Sequence, residues 1–179
     1  MGRLASFVVV LSLAGSLLAG IPREAAPSAE LSVEQQAPAT EPLAIVVNRS
    51  NPLDQLSLAE LRKVFLGERR YWPNGRRITL VVRDLGEPEY KTMLREVYQM
   101  DENSLKNHFL RGLFTGEILV SPKTLATAAG VRKFVFNVPG AIGYVRLTDV
   151  DGTVKVLRID ELLPEDKKYR LHVELRPAN

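Results

Sequence analysis

Residues Phe134 to Val145 read F-V-F-N-V-P-G-A-I-G-Y-V, and this stretch decides how the chain folds. The apolar residues before Asn137 recur at helical spacing, and the Pro139-Gly140 step cannot continue a helix. The residues that follow, Ala141 to Val145, are apolar and β-prone. A helix that ends and leads directly into a buried strand is half of an α/β crossover, so the sequence predicts an α/β domain.

Composition favours one domain and excludes several kinds of site. The chain has 179 residues, of which 45% are hydrophobic, which is enough for one core. Its net charge of +3 is too small to indicate a nucleic-acid partner. The absence of cysteine excludes disulfides and thiol catalysis, and two isolated histidines do not suggest a zinc site. We therefore predict no metal and no cofactor.

The N-terminal 42 residues read as an export segment and a linker. A positive Arg3 precedes an uncharged apolar run from Leu4 to Ile21, which predicts either a cleaved signal peptide at 1–21 or an uncleaved anchor formed by residues 4–21. Both alternatives place the remainder in the periplasm or another extracytoplasmic space. Residues 22–42 are rich in Ala, Pro, Glu and Ser without a hydrophobic period, which is typical of a disordered linker. The folded domain is predicted at 43–179.

The first half of this domain shows clear strand and helix signals. Leu43 to Val47 is a continuous apolar run, as expected for a strand covered on both faces. Ser57 and Glu60 form a capping box at the start of a helix that Gly67 ends. A second strand, predicted as parallel, follows at Ile78 to Val82.

Three features are predicted in the second half of the domain: a helix, a hairpin and an edge strand. Ser121 and Pro122 read as the start of the last long helix. The Asp151-Gly152 step is typical of a turn, which predicts a C-terminal antiparallel hairpin, and Tyr169 to Leu175 alternates like an edge strand.

Several segments, taken in order, resemble one family. The chain from about Leu43 to Val145 is similar to phosphate-type ABC-transporter substrate-binding proteins, and the joint order of the segments is more specific than any one of them. The matching segments are A-I-V-V-N at Ala44–Asn48, L-x-E-L-x-x-V-F-L-G at Leu58–Gly67, W-P-N-G at Trp72–Gly75, I-T-L-V-V-R-D at Ile78–Asp84, F-T-G at Phe114–Gly116 and P-G-A-I-G-Y-V at Pro139–Val145. The resemblance implies one lobe of a type 2 periplasmic-binding-protein-like fold, with a small, mostly parallel sheet between helices.

The resemblance also implies a ligand-binding mouth where the strands end. Arg83 and Asp84 follow the second strand, at the edge of the sheet where open α/β proteins bind ligands. We expect Ser50 and Thr115 to lie near the same mouth, because the ends of the Val47 and Val82 strands should share one edge. In the resembled family a Ser-Gly-Thr step opens the next helix. Leu85 to Glu89 stands there instead, and its two glutamates oppose a bound phosphate. Two interpretations of Arg83 and Asp84 are left open: a ligand contact or a strand-end ion pair.

An arginine-rich turn is the second candidate region. Arginines and aromatic residues alternate around the Pro-Asn-Gly turn, and such a pattern can meet an acidic protein partner, stack on bases or form a solvated face. The resemblance implies that the tryptophan packs the turn against its own lobe. We predict no nucleic acid as partner. The residues concerned are Arg69, Arg70, Trp72, Arg76 and Arg77.

Two functions follow from the sequence. The first is an exported solute-binding domain for phosphate or another small oxyanion, working with an ABC permease. The alternative is a non-enzymatic envelope adaptor that keeps the scaffold and binds a protein through the arginine-rich turn. An enzyme is not expected, because His108 has no serine or aspartate at a recognisable spacing.

Overall fold

A computed structural model describes residues 39–118 and 120–175. The predicted signal peptide or anchor, and the linker up to residue 38, lie outside these residues. The elements are β1 (Thr40–Asn48), β2 (Gln55–Leu56), α1 (Leu58–Phe65), β3 (Thr79–Arg83), α2 (Pro88–Thr92), a π-helical turn (Met93–Tyr98), α3 (Glu102–Thr115), β4 (Lys123–Leu125), α4 (Ala128–Asn137), β5 (Ala141–Arg146), a 3₁₀ turn (Leu147–Asp149), β6 (Val154–Val156), β7 (Arg158–Ile159) and β8 (His172–Glu174).

Most strands of the main sheet run in the same direction, as predicted. Its strand order is β4-β3-β5-β1-β6, and β8 pairs with the first residues of β1. Strand β3 is parallel to both β4 and β5, whereas β5, β6 and β8 are each antiparallel to β1. Five of the six strands therefore run in one direction, and β1 alone runs against them. The α/β fold class predicted from the sequence is confirmed.

Helices cover both faces of this sheet. In β1, Leu43, Ile45 and Val47 join the core cluster that contains α1 and the π-helical turn. The alternate residues Ala44 and Val46 join a second cluster with side chains of α4. Because successive side chains of a strand point to opposite faces, a strand buried on both sides has the unbroken apolar run seen in the sequence.

The stretch around Pro139 forms the predicted crossover. Helix α4 ends at Asn137, and β5 begins at Ala141 beside the start of β3. A Cβ at Gly140 would lie 2.0 Å from the carbonyl oxygen of Arg77, so only glycine fits there. Gly143 likewise leaves room for α4, because a Cβ there would lie 2.9 Å from the side chain of Val131.

Two sequence predictions about the second half are wrong. The last long helix does not begin at Ser121-Pro122: residues Lys123–Leu125 form β4 on the open edge of β3, and Thr127 caps the helix by accepting a hydrogen bond from the Gly130 N–H. Strand β3 has an edge whose backbone N–H and C=O groups can pair with another strand. The sequence around Lys123–Leu125 does not by itself indicate that this edge is nearby.

The C-terminal strands do add antiparallel pairs, but they do not form a hairpin. Strand β6 pairs with β1 rather than with β5, because β1 lies between them. The edge strand predicted within Tyr169 to Leu175 is present as β8, which pairs with Thr40 to Pro42. The sheet therefore begins at Thr40, inside the segment predicted as linker.

Across residues 39–118 and 120–175, every helix is too short or too polar to cross a bilayer.

Candidate functional site

Arg83, the last residue of β3, is a buried cation with spare hydrogen-bond donors. Only 7% of the residue is exposed. Its Nη2 lies 3.3 Å from Oε2 of Glu87, whereas its Nε and Nη1 have no partner among the described residues. Leaving buried charged donors unsatisfied is costly, so this arrangement favours an additional anionic or polar group beside the guanidinium.

A second ion pair lies at the same end of the sheet. Glu89 in α2 is 2% exposed, and its Oε1 accepts a hydrogen bond of 2.6 Å from Nε of Arg146, the last residue of β5. Strands β3 and β5 are parallel, so Arg83 and Arg146 end neighbouring strands at one edge. This short pair ties α2 to the sheet.

Three buried tyrosines lie behind these pairs. The Tyr144 hydroxyl accepts a hydrogen bond of 3.1 Å from the backbone N–H of Arg83, whereas the Tyr98 hydroxyl has no partner among the described residues. Burial raises the pKa of both hydroxyls, and it also raises the pKa of Tyr90, with a further rise from the charge of Glu102. These groups therefore stay neutral near pH 7, and they do not compete with an anion for the guanidinium.

An apolar groove of about 320 Å³ lies beside this end of β3. It is lined by Val82, Leu85 and the tyrosines Tyr90 and Tyr98, together with one side of α3. Of the charged residues that the structure describes, only Glu102 and Lys106 of α3 line it. Their opposite charges give the groove no preference for an anion.

The predicted mouth is not assembled, because Ser50 lies at the other end of the sheet. Strand β1 is antiparallel to β5, so its carboxyl end lies where β3 begins. The Ser50 hydroxyl donates to Oδ1 of Asn48, whose Nδ2 donates to carbonyl oxygens near the end of α4. Ser50 thus stabilises a turn. A continuous apolar run indicates burial but not strand direction, which is why the prediction of one shared edge for the Val47 and Val82 strands is wrong.

Thr115 is the exposed last residue of α3. Its hydroxyl donates to the carbonyl oxygen of Gly112. Of the four predicted ligand-binding residues, Arg83 and the half-buried Asp84 lie together at the end of β3, and ligand contact by Arg83, Asp84 or Thr115 stays a prediction.

The arginine-rich turn divides into buried and exposed residues. Trp72 is 2% exposed, and its Nε1 donates to the carbonyl oxygen of Gly140 at 3.0 Å, so it packs the turn onto the domain and is not available to a partner. Three of the arginines, Arg69, Arg70 and Arg77, line one cavity, whereas Arg76 does not. Partner binding by these arginines stays a prediction.

Two polar residues of the site were missed in the sequence, Tyr144 and Arg146. Both point to the same side of β5 as Ile142, and the alternation within Ala141–Arg146 was available as a signal. Their partners, Arg83 and Glu89, are more than fifty residues away in sequence, so spacing could not identify the pairing.

Known proteins similar to this chain are phosphate-type binding proteins. No protein-family model matches the chain. It is 28% identical over 126 residues to the phosphate-binding protein PstS of Bacillus subtilis (strain 168), an alignment that covers 70% of this chain and 38% of that protein.

Solved structures share the fold. A phosphate ABC transporter substrate-binding protein from Clostridium perfringens, crystallised with bound phosphate, matches with a TM-score of 0.62 and 18% identity over 75% of this chain and 54% of its own. PstS from Borrelia burgdorferi matches with a TM-score of 0.61 and 15% identity over 76% and 56%. The ABC-type phosphate transport receptor from Vibrio cholerae gives a TM-score of 0.54 and 20% identity over 70% and 49%.

These findings confirm the resemblance predicted from the sequence. The chain is similar to phosphate-type substrate-binding proteins of ABC transporters and has the fold of about half of such a protein. The chain spans between about two fifths and just over half of the length of these relatives. The relatives are named as binding or transport proteins rather than enzymes.

Proposed function

We propose that this chain is an exported, non-enzymatic solute-binding domain that binds a small oxyanion, with phosphate as the first candidate, at Arg83. The observation that supports this most strongly is the buried guanidinium, whose Nε and Nη1 lack partners among the described residues. The similarity to phosphate-binding relatives supports the same class of ligand.

The physical basis is charge-assisted hydrogen bonding in a poorly hydrated place. Phosphate oxygens can accept charge-assisted hydrogen bonds from the Nε–H and from the Nη1 group of Arg83, which lie on different edges of the guanidinium. Burial of Arg83 lowers the local dielectric, which strengthens the attraction relative to the same contact in water. Arg83 therefore supplies the charge and the hydrogen-bond donors for the oxyanion.

Glu87 weakens this site. Its carboxylate lies 3.3 Å from Nη2 of Arg83, and it competes with an incoming anion for the same charge. The residue that starts α2 is thus an acid where the resembled family has small hydroxyl residues. We expect affinity below that of a site without this carboxylate, and lower still where water reaches part of the ligand.

The proposal also includes where the domain functions and which partner receives its ligand. We propose that the domain functions in the periplasm or another extracytoplasmic space and delivers its ligand to an ABC permease. A signal peptide at 1–21, or an anchor at 4–21, would provide the export. Arg83 is the residue that we assign to the oxyanion, and the half-buried Asp84 would accept a hydrogen bond from a protonated oxygen of that ligand.

Calorimetry tests this proposal directly. The full-length protein is titrated with phosphate at pH 7 in low salt, and we expect saturable heat. Arg83→Met should weaken binding by at least about tenfold, since a hydrogen bond to a charged group contributes about 1.5–3 kcal/mol. Arg76→Met is the matched control, because Arg76 is exposed and lies in the turn before β3 rather than at its end; this variant should bind phosphate like the parent. Equal affinity of Arg83→Met and the parent, or no heat in the parent, would refute the proposal.

A further inference from the structure

A separate cavity of about 160 Å³ lies beside the start of β3. Three arginines surround it: Arg69, Arg70 and Arg77. Its remaining wall is largely apolar and includes Val64 and Leu80. The cavity thus combines a cationic rim with an apolar interior.

The positive charge of the rim is only partly compensated. Among the described residues no carboxylate lines this cavity, although Arg70 also lines a neighbouring cavity that contains Glu68 and Glu117. Arg70 and Arg77 are exposed and make no ion pair within the described part of the chain. Arg69 lies 3.9 Å from Oε1 of Glu60, a long contact, and its guanidinium lies 6.0 Å from the centre of the Trp72 ring. Two of the three guanidinium groups are therefore available to an anion.

The turn that carries these arginines is fixed in place. Trp72 is hydrogen-bonded to Gly140, and the N–H of Ile78 donates to the carbonyl oxygen of Arg70 at 2.8 Å. The backbone of Arg77 lies directly against Gly140. A ligand would meet a backbone that is already ordered, which reduces the entropy cost of binding.

We infer that this cavity binds a small organic anion, namely a carboxylate attached to an apolar group about the size of a benzene ring. The volume supports this size, because an apolar cavity of about 150 Å³ accepts benzene. The apolar interior would cover the ring and the arginine rim would bind the carboxylate. Inorganic phosphate would leave the apolar wall uncovered and is a poorer fit.

This site is independent of the one proposed at Arg83. The cavity borders Ile78, Thr79 and Leu80, and Arg83 is four residues beyond Thr79, about 13 Å along the strand. Loss of one site should therefore leave the other intact.

Benzoate is the probe that tests the inference. The full-length protein is titrated in phosphate-free buffer by NMR or calorimetry with benzoate, and in parallel with benzyl alcohol, which has the ring without the charge. We expect saturable benzoate binding, at least about tenfold weaker binding of benzyl alcohol, and a similar loss for benzoate in the double variant Arg70→Ala and Arg77→Ala. Arg76→Ala, from the same turn but outside the cavity, should bind benzoate like the parent.

Two further variants make the result unambiguous. Val120→Trp places a large ring at the exposed edge of the cavity and should also abolish benzoate binding, whereas Arg83→Met should not change it. Unfolding curves confirm that each variant is folded. The inference is overturned if benzoate does not bind the parent, or if its affinity is the same in the Arg70/Arg77 double variant as in Arg76→Ala.

Discussion

Two arginine–carboxylate pairs lie at the same end of the sheet and are built in opposite ways. In the pair of Arg83 and Glu87 the cation is buried and the acid is partly exposed, with 3.3 Å between Nη2 and Oε2. In the pair of Arg146 and Glu89 the acid is buried and the cation is partly exposed, with 2.6 Å between Nε and Oε1. The second pair gives a buried charge one short bond and leaves Oε2 of Glu89 without a partner among the described residues, whereas the first leaves two guanidinium nitrogens without one. We expect the second pair to stabilise the fold, and we propose the first as the place where a ligand binds.

The largest loss of stability is expected when the ion pair of Arg146 and Glu89 is broken. Arg146→Met leaves the buried carboxylate of Glu89 without its cation, which should lower the free energy of unfolding by about 3 kcal/mol. Urea unfolding monitored by the fluorescence of Trp72, the single tryptophan, measures the change. In the double variant Arg146→Met with Glu89→Leu most of the stability should return. A loss under about 0.5 kcal/mol in the single variant would show that the pair is not structural.

A smaller effect is expected at the tyrosine beneath Arg83. Tyr144→Phe removes the acceptor of the Arg83 backbone N–H and should cost about 1–2 kcal/mol of unfolding free energy. Tyr98→Phe is the matched control, because that hydroxyl is buried without a partner among the described residues; its removal should be neutral or stabilising. The same unfolding experiment compares them, and equal losses in both variants would contradict the assignment.

Arg83 itself should contribute little to stability. Arg83→Met removes a buried charge whose one ion-pair partner among the described residues is the partly exposed Glu87, so the free energy of unfolding should change by less than about 1 kcal/mol. A loss as large as that of Arg146→Met would mean that both pairs are structural. The difference between the two pairs would then give no reason to assign ligand binding to Arg83.

The smallest effect is a change in phosphate affinity when Glu87, the acid that competes with the anion, is replaced. Glu87→Gln removes a negative charge beside the guanidinium and should raise phosphate affinity about fivefold, since solvent screens a side chain that is partly exposed. Calorimetry at two salt concentrations measures this gain, which should shrink at high salt. An unchanged or reduced affinity would show that Glu87 does not oppose the anion.

The sequence predicted the elements around the crossover well, because local signals specify them. The Pro139-Gly140 step ended α4, and the capping box of Ser57 and Glu60 is present as predicted. Both features depend on backbone chemistry within a few residues. The continuous run from Leu43 to Val47 likewise identified a central strand.

Strand direction and pairing could not be read from such signals. Because β1 runs against the other strands, Ser50 lies at the opposite end of the sheet from Arg83. Residues Lys123–Leu125, predicted as part of a helix, form a strand because they pair with β3. Both depend on edges supplied by distant segments. The surroundings of Arg83 have the same origin in part, because Tyr144, which accepts a hydrogen bond from the Arg83 backbone N–H, comes from β5.

The most direct test of the central claim is an NMR titration of the arginine side chains with phosphate. Because Nε of Arg83 has no partner among the described residues and Nε of Arg146 already donates to Glu89, their Nε–Hε signals should respond differently. We predict a saturable downfield shift of the Arg83 signal and no comparable shift of the Arg146 signal. If phosphate leaves the Arg83 signal unchanged, the account of a ligand-binding guanidinium at the end of β3 is contradicted.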